Sequence, residues 1–87
     1  MNQAIQALLT TLLNQRIIGG KHTVEHRIIK SKTKYLGKQE RKEFSKEYKE
    51  LVKEGIIIRA KKRTGKGYDW HISLNAKKVR EVIRWLT

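Results

Sequence analysis

Several residue types and sequence features are absent from this chain, and each absence excludes a class of protein. It contains no cysteine, which excludes a disulfide framework and a thiolate metal site. Its longest uninterrupted apolar runs, Ala7–Leu9 and Ile56–Ile58, have three residues each, so no segment is long enough to cross a bilayer. The first residues carry no basic segment of the kind that opens a secretory signal. We therefore expect a cytoplasmic protein that has no membrane partner.

Acidic residues are also scarce. The 87 residues include 21 Lys and Arg against 8 Asp and Glu, a formal net charge of +13. Charge of this size indicates the class of partner rather than the fold, and the usual partners are nucleic acid, an anionic membrane surface or an acidic protein. A chain of this length has room for one modest hydrophobic core, so we expect a single domain over residues 1–87.

The positive charge lies in blocks. Residues 40–54 hold five basic and five acidic residues and are neutral overall. Residues 21–38 hold six basic residues against one acid, and residues 59–66 hold five basic residues and no acid. Because five neighbouring cations repel one another and gain nothing inside the chain, the 59–66 block favours contact with an anionic partner. We predict that this partner is nucleic acid.

Hydrophobic spacing predicts two helices before the central part of the chain. Apolar residues recur at helical intervals over Gln3–Ile18, and Gly19-Gly20 is expected to end this helix. Thr23 is expected to cap a second helix over Val24–Lys30, which is followed by a predicted turn over Ser31–Lys34.

The third predicted helix, about Lys38–Glu54, has three different faces. With Phe44 placed at 0°, Tyr48, Leu51 and Val52 lie within about 80° of it and form an apolar face. Lysines occupy one flank and glutamates the adjacent flank. Salt bridges within the helix, worth about 0.2–0.5 kcal/mol each, are one explanation of the glutamates. The other explanation is a lysine face that is presented to an anionic ligand, with the glutamates turned away from it.

Two strands and a last helix complete the pattern. Ile56–Lys61 and the alternating segment Tyr68–Leu74 flank a linker with two glycines, which predicts an antiparallel hairpin. The alternation places Tyr68 and Trp70 on the apolar face, so we expect both rings to point toward the core. Asn75 is expected to cap the final helix. The predicted fold class is α+β, mostly α, with a two-stranded hairpin and the order α-α-α-β-β-α.

Two segments carry a resemblance to a known family. In Leu51–Ile57 (LVKEGII) a helix ends in glycine and runs into a strand, and Arg59–Tyr68 (RAKKRTGKGY) forms a basic hairpin. From residue 3 to residue 87 the chain resembles a winged helix-turn-helix domain and is similar to small basic winged-helix proteins of archaea. The resemblance implies that the third helix enters the major groove of double-stranded DNA and that the hairpin, as the wing, holds the flanking phosphates.

The resemblance and the charge blocks together predict three groups of DNA-contacting residues. The recognition-helix group is Lys38, Gln39, Arg41, Lys42, Ser45, Lys46 and Lys49. The wing group is Arg59, Lys61, Lys62, Arg63 and Lys66. The second-helix group is Lys21, Arg27, Lys30, Lys32 and Lys34. Because most of these cations suit phosphate rather than base edges, we expect mainly nonspecific binding by a transcription regulator or an architectural protein.

Catalytic, metal and cofactor sites are not predicted. The carboxylates outside the third helix are Glu25, Asp69 and Glu81, which are scattered over different elements, whereas a two-metal nuclease needs several that converge. His22 and His26 have helical spacing but lack a third ligand. The glycines do not have the spacing of a phosphate-binding loop. We therefore predict a protein that is not an enzyme and binds no cofactor.

Three alternatives about the partners stay open. The apolar arc of the first helix exceeds half of its circumference, and Trp85 lies off the apolar stripe of the last helix, which favours a homodimer through these two helices. The same arc would suit a protein-interaction subunit of a larger nucleic-acid-processing complex. RNA is not excluded, although single-strand binding is disfavoured because the candidate stacking rings are all expected to face the core: Phe44, Tyr48, Tyr68 and Trp70.

Overall fold

The computed structural model describes all residues from Met1 to Thr87 and contains four α-helices and one three-stranded antiparallel sheet, which confirms the predicted α+β class. The strand order is β1-β3-β2, so the sequence-based order α-α-α-β-β-α missed a short first strand. In chain order the elements are α1 (Gln3–Asn14), β1 (Thr23–Val24), α2 (Glu25–Thr33), α3 (Lys38–Lys53), β2 (Ile57–Thr64), β3 (Gly67–Leu74), a 3₁₀ turn (Ala76–Lys78) and α4 (Val79–Leu86).

The hydrophobic core is built around α1. The helix begins at Asn2, whose side-chain oxygen accepts the Ala4 N–H at 2.7 Å. One face of the helix is buried, and α1 contacts α2, α3, α4 and β3. The residues of this buried face are Ala4, Ile5, Leu8, Leu9 and Leu12. The chain therefore covers most of the apolar arc of α1 by itself, and this arc no longer argues for a homodimer.

The end of α1 differs from the prediction. The helix stops at Asn14 rather than Ile18, because Arg16 adopts the left-handed conformation with φ 54° and turns the chain there. Ile17 is then buried in the core, its C=O accepts the Leu74 N–H at 2.9 Å, and the Gly19 N–H donates to the Leu74 C=O. Burial of the Ile17 side chain and its backbone hydrogen bond to β3 thus stabilise this turn more than further helical hydrogen bonds up to Gly19 would.

The predicted cap and turn around the second helix were wrong. Thr23 lies in β1, where it pairs with Ile72 of β3, and Val24 precedes the helix without a side-chain cap. Helix α2 continues through the predicted turn to Thr33, whose hydroxyl donates to the Ile29 C=O at 2.8 Å. A two-residue strand is too short to produce an alternating pattern, which explains why the sequence gives no sign of it.

Helix α3 is the element that the sequence predicted best. Its bounds agree with the prediction to one residue, and Phe44, Tyr48 and Leu51 are buried as expected. Gly55 stops the helix with φ 78°; its N–H donates to the Val52 C=O, and the Ile56 N–H donates to the Leu51 C=O. This cap turns the chain directly from α3 into β2.

The predicted hairpin is confirmed, but two of its aromatic residues were misplaced. Strands β2 and β3 have eight residues each and pair from Ile57–Leu74 to Thr64–Gly67 around a two-residue turn. Ile72 and Leu74 are fully buried, whereas Trp70 is 43% exposed and Tyr68 is 66% exposed. The alternation assigned these rings to the correct face, but the strand extends beyond the edge of the core. The prediction that they point into the core was therefore wrong.

The C-terminal helix packs through one narrow stripe. Asn75 accepts the Lys77 N–H at 3.0 Å, so the predicted cap is confirmed, although a 3₁₀ turn comes before the α-helix. Val82 is fully buried, while Ile83 and Trp85 are partly exposed, at 45% and 42%. None of the four helices is both long enough and apolar enough to span a membrane.

Replacement of Gly55 by alanine tests the junction between α3 and β2. A residue with a Cβ in the left-handed conformation costs about 1–2 kcal/mol, so we expect Gly55→Ala to lower the free energy of unfolding by that amount in urea denaturation. The added Cβ would meet only the Asn75 side chain at 3.9 Å, an ordinary contact, so the loss would come from the backbone. Gly20→Ala is the control, because Gly20 has open space and no positive φ. Equal losses of unfolding free energy in the two variants would contradict the view that the left-handed backbone at Gly55 causes the effect.

Candidate nucleic-acid interface

The solvent face of α3 gathers most of the recognition-helix group. Opposite the buried Phe44 and Tyr48, side chains three and four residues apart border one shallow furrow that contains no hydrophobic residue. Four of them are lysines, so the furrow is strongly positive apart from Glu50 at its end. The residues that line it are Lys38, Arg41, Lys42, Ser45, Lys46, Lys49 and Glu50.

The lysines of α3 make no ion pair with its glutamates. The three salt bridges of the structure all lie outside α3: His26–Asp69, Arg59–Glu25 and Lys78–Glu81. Salt bridges within the helix, one explanation offered for its glutamates, are therefore not formed.

Two of the α3 glutamates accept backbone hydrogen bonds instead. Glu40 accepts the Gly37 N–H at 3.3 Å, and Glu47 accepts the Asn2 N–H at 3.2 Å. Glu40 thus closes the start of its own helix, and Glu47 connects α3 to the start of α1. These two glutamates thus have structural partners of their own, and no glutamate of α3 forms a salt bridge with a lysine of the helix.

Arg41 is partly occupied within the chain. Its Nε donates to the Leu36 C=O at 3.1 Å, and its Nη2 lies 3.5 Å from the Lys34 C=O, so it holds the connection between α2 and α3. Arginine is the side chain best suited to read guanine, because it presents two donors to one base edge. With Arg41 engaged, the directional group left in this furrow is Ser45, and Gln39 is exposed on α3 outside the furrow.

The hairpin carries the second set of unpaired cations. Beyond the Arg59–Ile72 pair, β2 and β3 leave the core, and β2 continues for five residues, or roughly 17 Å. Four cations on this extension are exposed and form no ion pair within the chain: Lys61, Lys62, Arg63 and Lys66.

Arg59, predicted as a wing residue, is part of an internal network. Its guanidinium donates twice to the Glu25 carboxylate, through Nε to Oε2 and through Nη2 to Oε1 at 2.8 Å. The Tyr48 hydroxyl donates to the same Oε2 at 2.6 Å. On the other side, the guanidinium lies 4.2 Å from the centre of the Trp70 ring. Glu25 thereby joins α2, α3 and β2 at one point.

The protonation of this network follows from its contacts. Burial alone would raise the pKa of Glu25, but hydrogen bonds from Arg59 and Tyr48 and the nearby positive charges outweigh it, so the pKa is lowered from 4.5. Burial and the bond to Glu25 raise the pKa of the Tyr48 phenol. The hydrogen bonds to Glu25 also raise the pKa of Arg59. At neutral pH the network is thus an ionised carboxylate with one cation and one neutral phenol.

The second-helix group is not gathered on one surface. Arg27 and Lys32 border a small hollow between α1 and α2, together with Gln15 and Thr23. Lys21 donates to the Gln15 C=O at 3.0 Å and so holds the end of α1. Lys34 lies over the Tyr35 ring at 5.1 Å, and Lys30 is exposed. Of the three predicted groups, this one has the weakest geometric support.

Sequence reasoning missed the aromatic part of the hairpin. Trp70 stands opposite Lys61, and Tyr68 stands opposite Arg63, so rings and cations alternate on one face. The Lys61 ammonium group lies 5.7 Å from the centre of the Tyr68 ring. The sequence did contain a sign of this arrangement, because the part of β2 that pairs with the two rings consists mainly of basic residues. A ring that pairs with cations rather than with Ile or Val lies outside a core.

The histidines do not form the pair that their spacing suggested. His22 lies against His71 of β3, with their Nδ1 atoms 2.6 Å apart, while His26 Nδ1 is 3.6 Å from Asp69 Oδ1. No three side chains of the metal-binding types converge in the structure.

Substitution of Glu25 tests the network through its pH dependence. Because the pKa of Glu25 is lowered in the folded protein, its contribution to stability is complete above 4.5 and is lost as the pH falls through the lower folded-state value. We expect Glu25→Gln to lower the free energy of unfolding by about 1 kcal/mol at pH 7 and by less at pH 3, in urea denaturation. Glu43→Gln, which removes an exposed carboxylate without a partner, should change little. A deficit of Glu25→Gln that stays constant with pH would contradict the role of the charge.

Comparison with known proteins identifies no relative: no protein-family model, curated protein or solved structure matches the chain. The features of the chain that bear on function are the cationic face of α3, the basic hairpin and the network between them.

Proposed function

We propose that the protein binds double-stranded DNA as a winged helix, with α3 in the major groove and the β2–β3 hairpin on the flanking phosphates. One observation carries the proposal: two neighbouring elements expose cations that have no acidic partner in the chain. On α3 they are Lys38, Lys42, Lys46 and Lys49, and on the hairpin they are Lys61, Lys62, Arg63 and Lys66. Such charges favour a ligand that supplies regularly spaced anions.

The dimensions and connections of the elements support this ligand. Helix α3 has 16 residues and is about 24 Å long. The major groove of B-DNA, about 12 Å wide, admits such a helix, whereas the deep and narrow major groove of duplex RNA does not. Helices α2 and α3 are joined by the four residues 34–37, which include Gly37, and a short turn containing glycine is typical of a helix-turn-helix.

The residue types favour the DNA backbone over the bases. Seven of the eight unpaired cations are lysines, which act as point charges toward phosphate, and Arg41 is engaged with backbone carbonyls. Gln39 and Ser45 would be the residues that contact base edges. The protein would therefore bind many sequences with similar affinity, as an architectural protein or as a regulator whose specificity comes from elsewhere.

Salt dependence of binding gives the quantitative test. If six to eight cations contact phosphates, the logarithm of the association constant should fall against the logarithm of salt concentration with a slope of about −5 to −7. Replacement of Lys61, Lys62, Arg63 and Lys66 by alanine should weaken binding to a DNA duplex and flatten the slope by about 3 to 4. Fluorescence anisotropy of a labelled duplex over a salt series measures both quantities.

A charge-matched variant on the 3₁₀ turn and α4 is the control for this test. Replacement of Lys77, Lys78, Arg80 and Arg84 by alanine removes the same four charges from another surface and should change the slope little. Equal flattening by the two variants would indicate attraction by net charge alone and would contradict the assigned interface. A duplex RNA of the same length should bind more weakly, and equal binding would contradict major-groove entry by α3.

A protein-interaction role is the second candidate, and one observation favours it. Ile83 and Trp85 of α4 are exposed beside Arg80 and Arg84, so α4 presents an apolar and basic surface that the chain does not cover. A second copy of the chain or an acidic partner would bury it. A mass equal to one chain in light scattering at micromolar concentration would remove a homodimer through α4.

A further inference from the structure

We propose that the hairpin face bearing Tyr68 and Trp70 binds unpaired nucleotides at the end of a duplex by stacking their bases on these two rings. The inference rests on the proposed duplex binding and names the form of DNA that the site prefers. Duplex DNA with a short single-stranded extension would thus bind more tightly than a blunt duplex.

The first observation is the exposure of the two rings. Tyr68 is 66% exposed and Trp70 is 43% exposed, although large aromatic side chains usually lie in the core of a small domain. They are two residues apart on β3 and therefore share one face, roughly 6.7 Å apart along the strand. Two bases that are splayed out of a stack can each contact one ring.

The second observation is the charge around the rings. Lys61 and Arg63 stand opposite Trp70 and Tyr68 on β2, so each ring has a cation beside it in the register. A purely apolar partner would have to bury these charges, which is costly. A nucleotide satisfies both features at once, because its base stacks on a ring and its phosphate meets a cation.

The third observation is the support beneath Trp70. The Arg59 guanidinium lies 4.2 Å from the centre of the Trp70 ring and is itself held by two hydrogen bonds to Glu25. The indole ring is thus fixed in place before any ligand arrives, which lowers the entropic cost of binding. Glu25 also accepts a hydrogen bond from Tyr48 of α3, so the Trp70 ring lies where the hairpin meets α3.

The position of the rings indicates which bases they would contact. A base inside a duplex has both faces covered by its stacked neighbours, so only a terminal or unpaired base offers a free face. Single-stranded nucleic acid is commonly bound by aromatic rings combined with a positive surface. With α3 on the duplex, the hairpin face would receive the strand that continues beyond the last base pair.

Anisotropy with three matched DNA probes tests this binding mode. The probes are one blunt duplex and two versions of it that carry a three-nucleotide extension at the 3′ or the 5′ end. We expect one of the extended duplexes to bind at least about fivefold more tightly than the blunt duplex. Tyr68→Ala should remove this gain and leave the affinity for the blunt duplex unchanged within twofold.

An exposed tyrosine elsewhere is the matched control. Tyr35 is 88% exposed and lies beside the ammonium group of Lys34, as Tyr68 lies beside that of Lys61, but it is outside the hairpin. Tyr35→Ala should keep the preference for the extended duplex. An equal loss in Tyr35→Ala would overturn the assignment to the hairpin.

Tryptophan fluorescence provides a readout that does not depend on affinity. The chain has two tryptophans, Trp70 and Trp85, with nearly equal exposures of 43% and 42%. In Trp85→Phe only Trp70 emits, and its emission should be quenched when the extended duplex is added. In Trp70→Phe only Trp85 emits, and its emission should change little.

The outcomes separate this inference from the proposed function. Equal binding of blunt and extended duplexes, or an unquenched Trp70 in the bound complex, would overturn the stacking site while duplex binding stood. Binding to none of the three probes would overturn the proposed function, and the stacking site with it.

Discussion

The carboxylate of Glu25 holds together the elements on which the candidate interface depends. It accepts two hydrogen bonds from Arg59 of β2 and one from Tyr48 of α3, and it is itself the first residue of α2. The position of the hairpin relative to α3 is thus fixed by charged hydrogen bonds in addition to apolar packing. Arg59 also supports the Trp70 ring, so the network reaches the exposed part of the hairpin.

The distribution of the few acidic residues decides which cations are free. Outside residues 38–54 the acidic residues all have a basic neighbour: Glu25 pairs with Arg59, Glu81 pairs with Lys78, and Asp69 lies 3.6 Å from His26. Glu40 and Glu47 of α3 accept backbone N–H groups. The excess of 21 basic over 8 acidic residues therefore remains as unpaired cations, and the exposed face of α3 and the hairpin hold eight of them. Attraction to a polyanion follows from this arrangement more directly than from the net charge.

Long periodic elements were predictable from the sequence, whereas features set by tertiary packing were not. The apolar face of α3 and the two-glycine hairpin were placed correctly, because each has a local pattern with a physical cause. The end of α1 was missed because burial of Ile17 against β3 depends on distant residues. Trp70 and Tyr68 were assigned to the core because alternation identifies the face of a strand but not where the core beneath it ends. The pairing of Arg59 with Glu25, 34 residues apart in the chain, has no local signature.

Lysine footprinting would test the central claim, that α3 and the hairpin together contact DNA, most directly. The chain is acetylated lightly with and without a saturating DNA duplex, and the modification of each lysine is read by mass spectrometry. The account predicts protection of Lys42, Lys46, Lys61 and Lys62 in the complex, with Lys77 and Lys78 of the 3₁₀ turn remaining reactive. Protection confined to Lys77 and Lys78, or spread equally over all lysines, would contradict it.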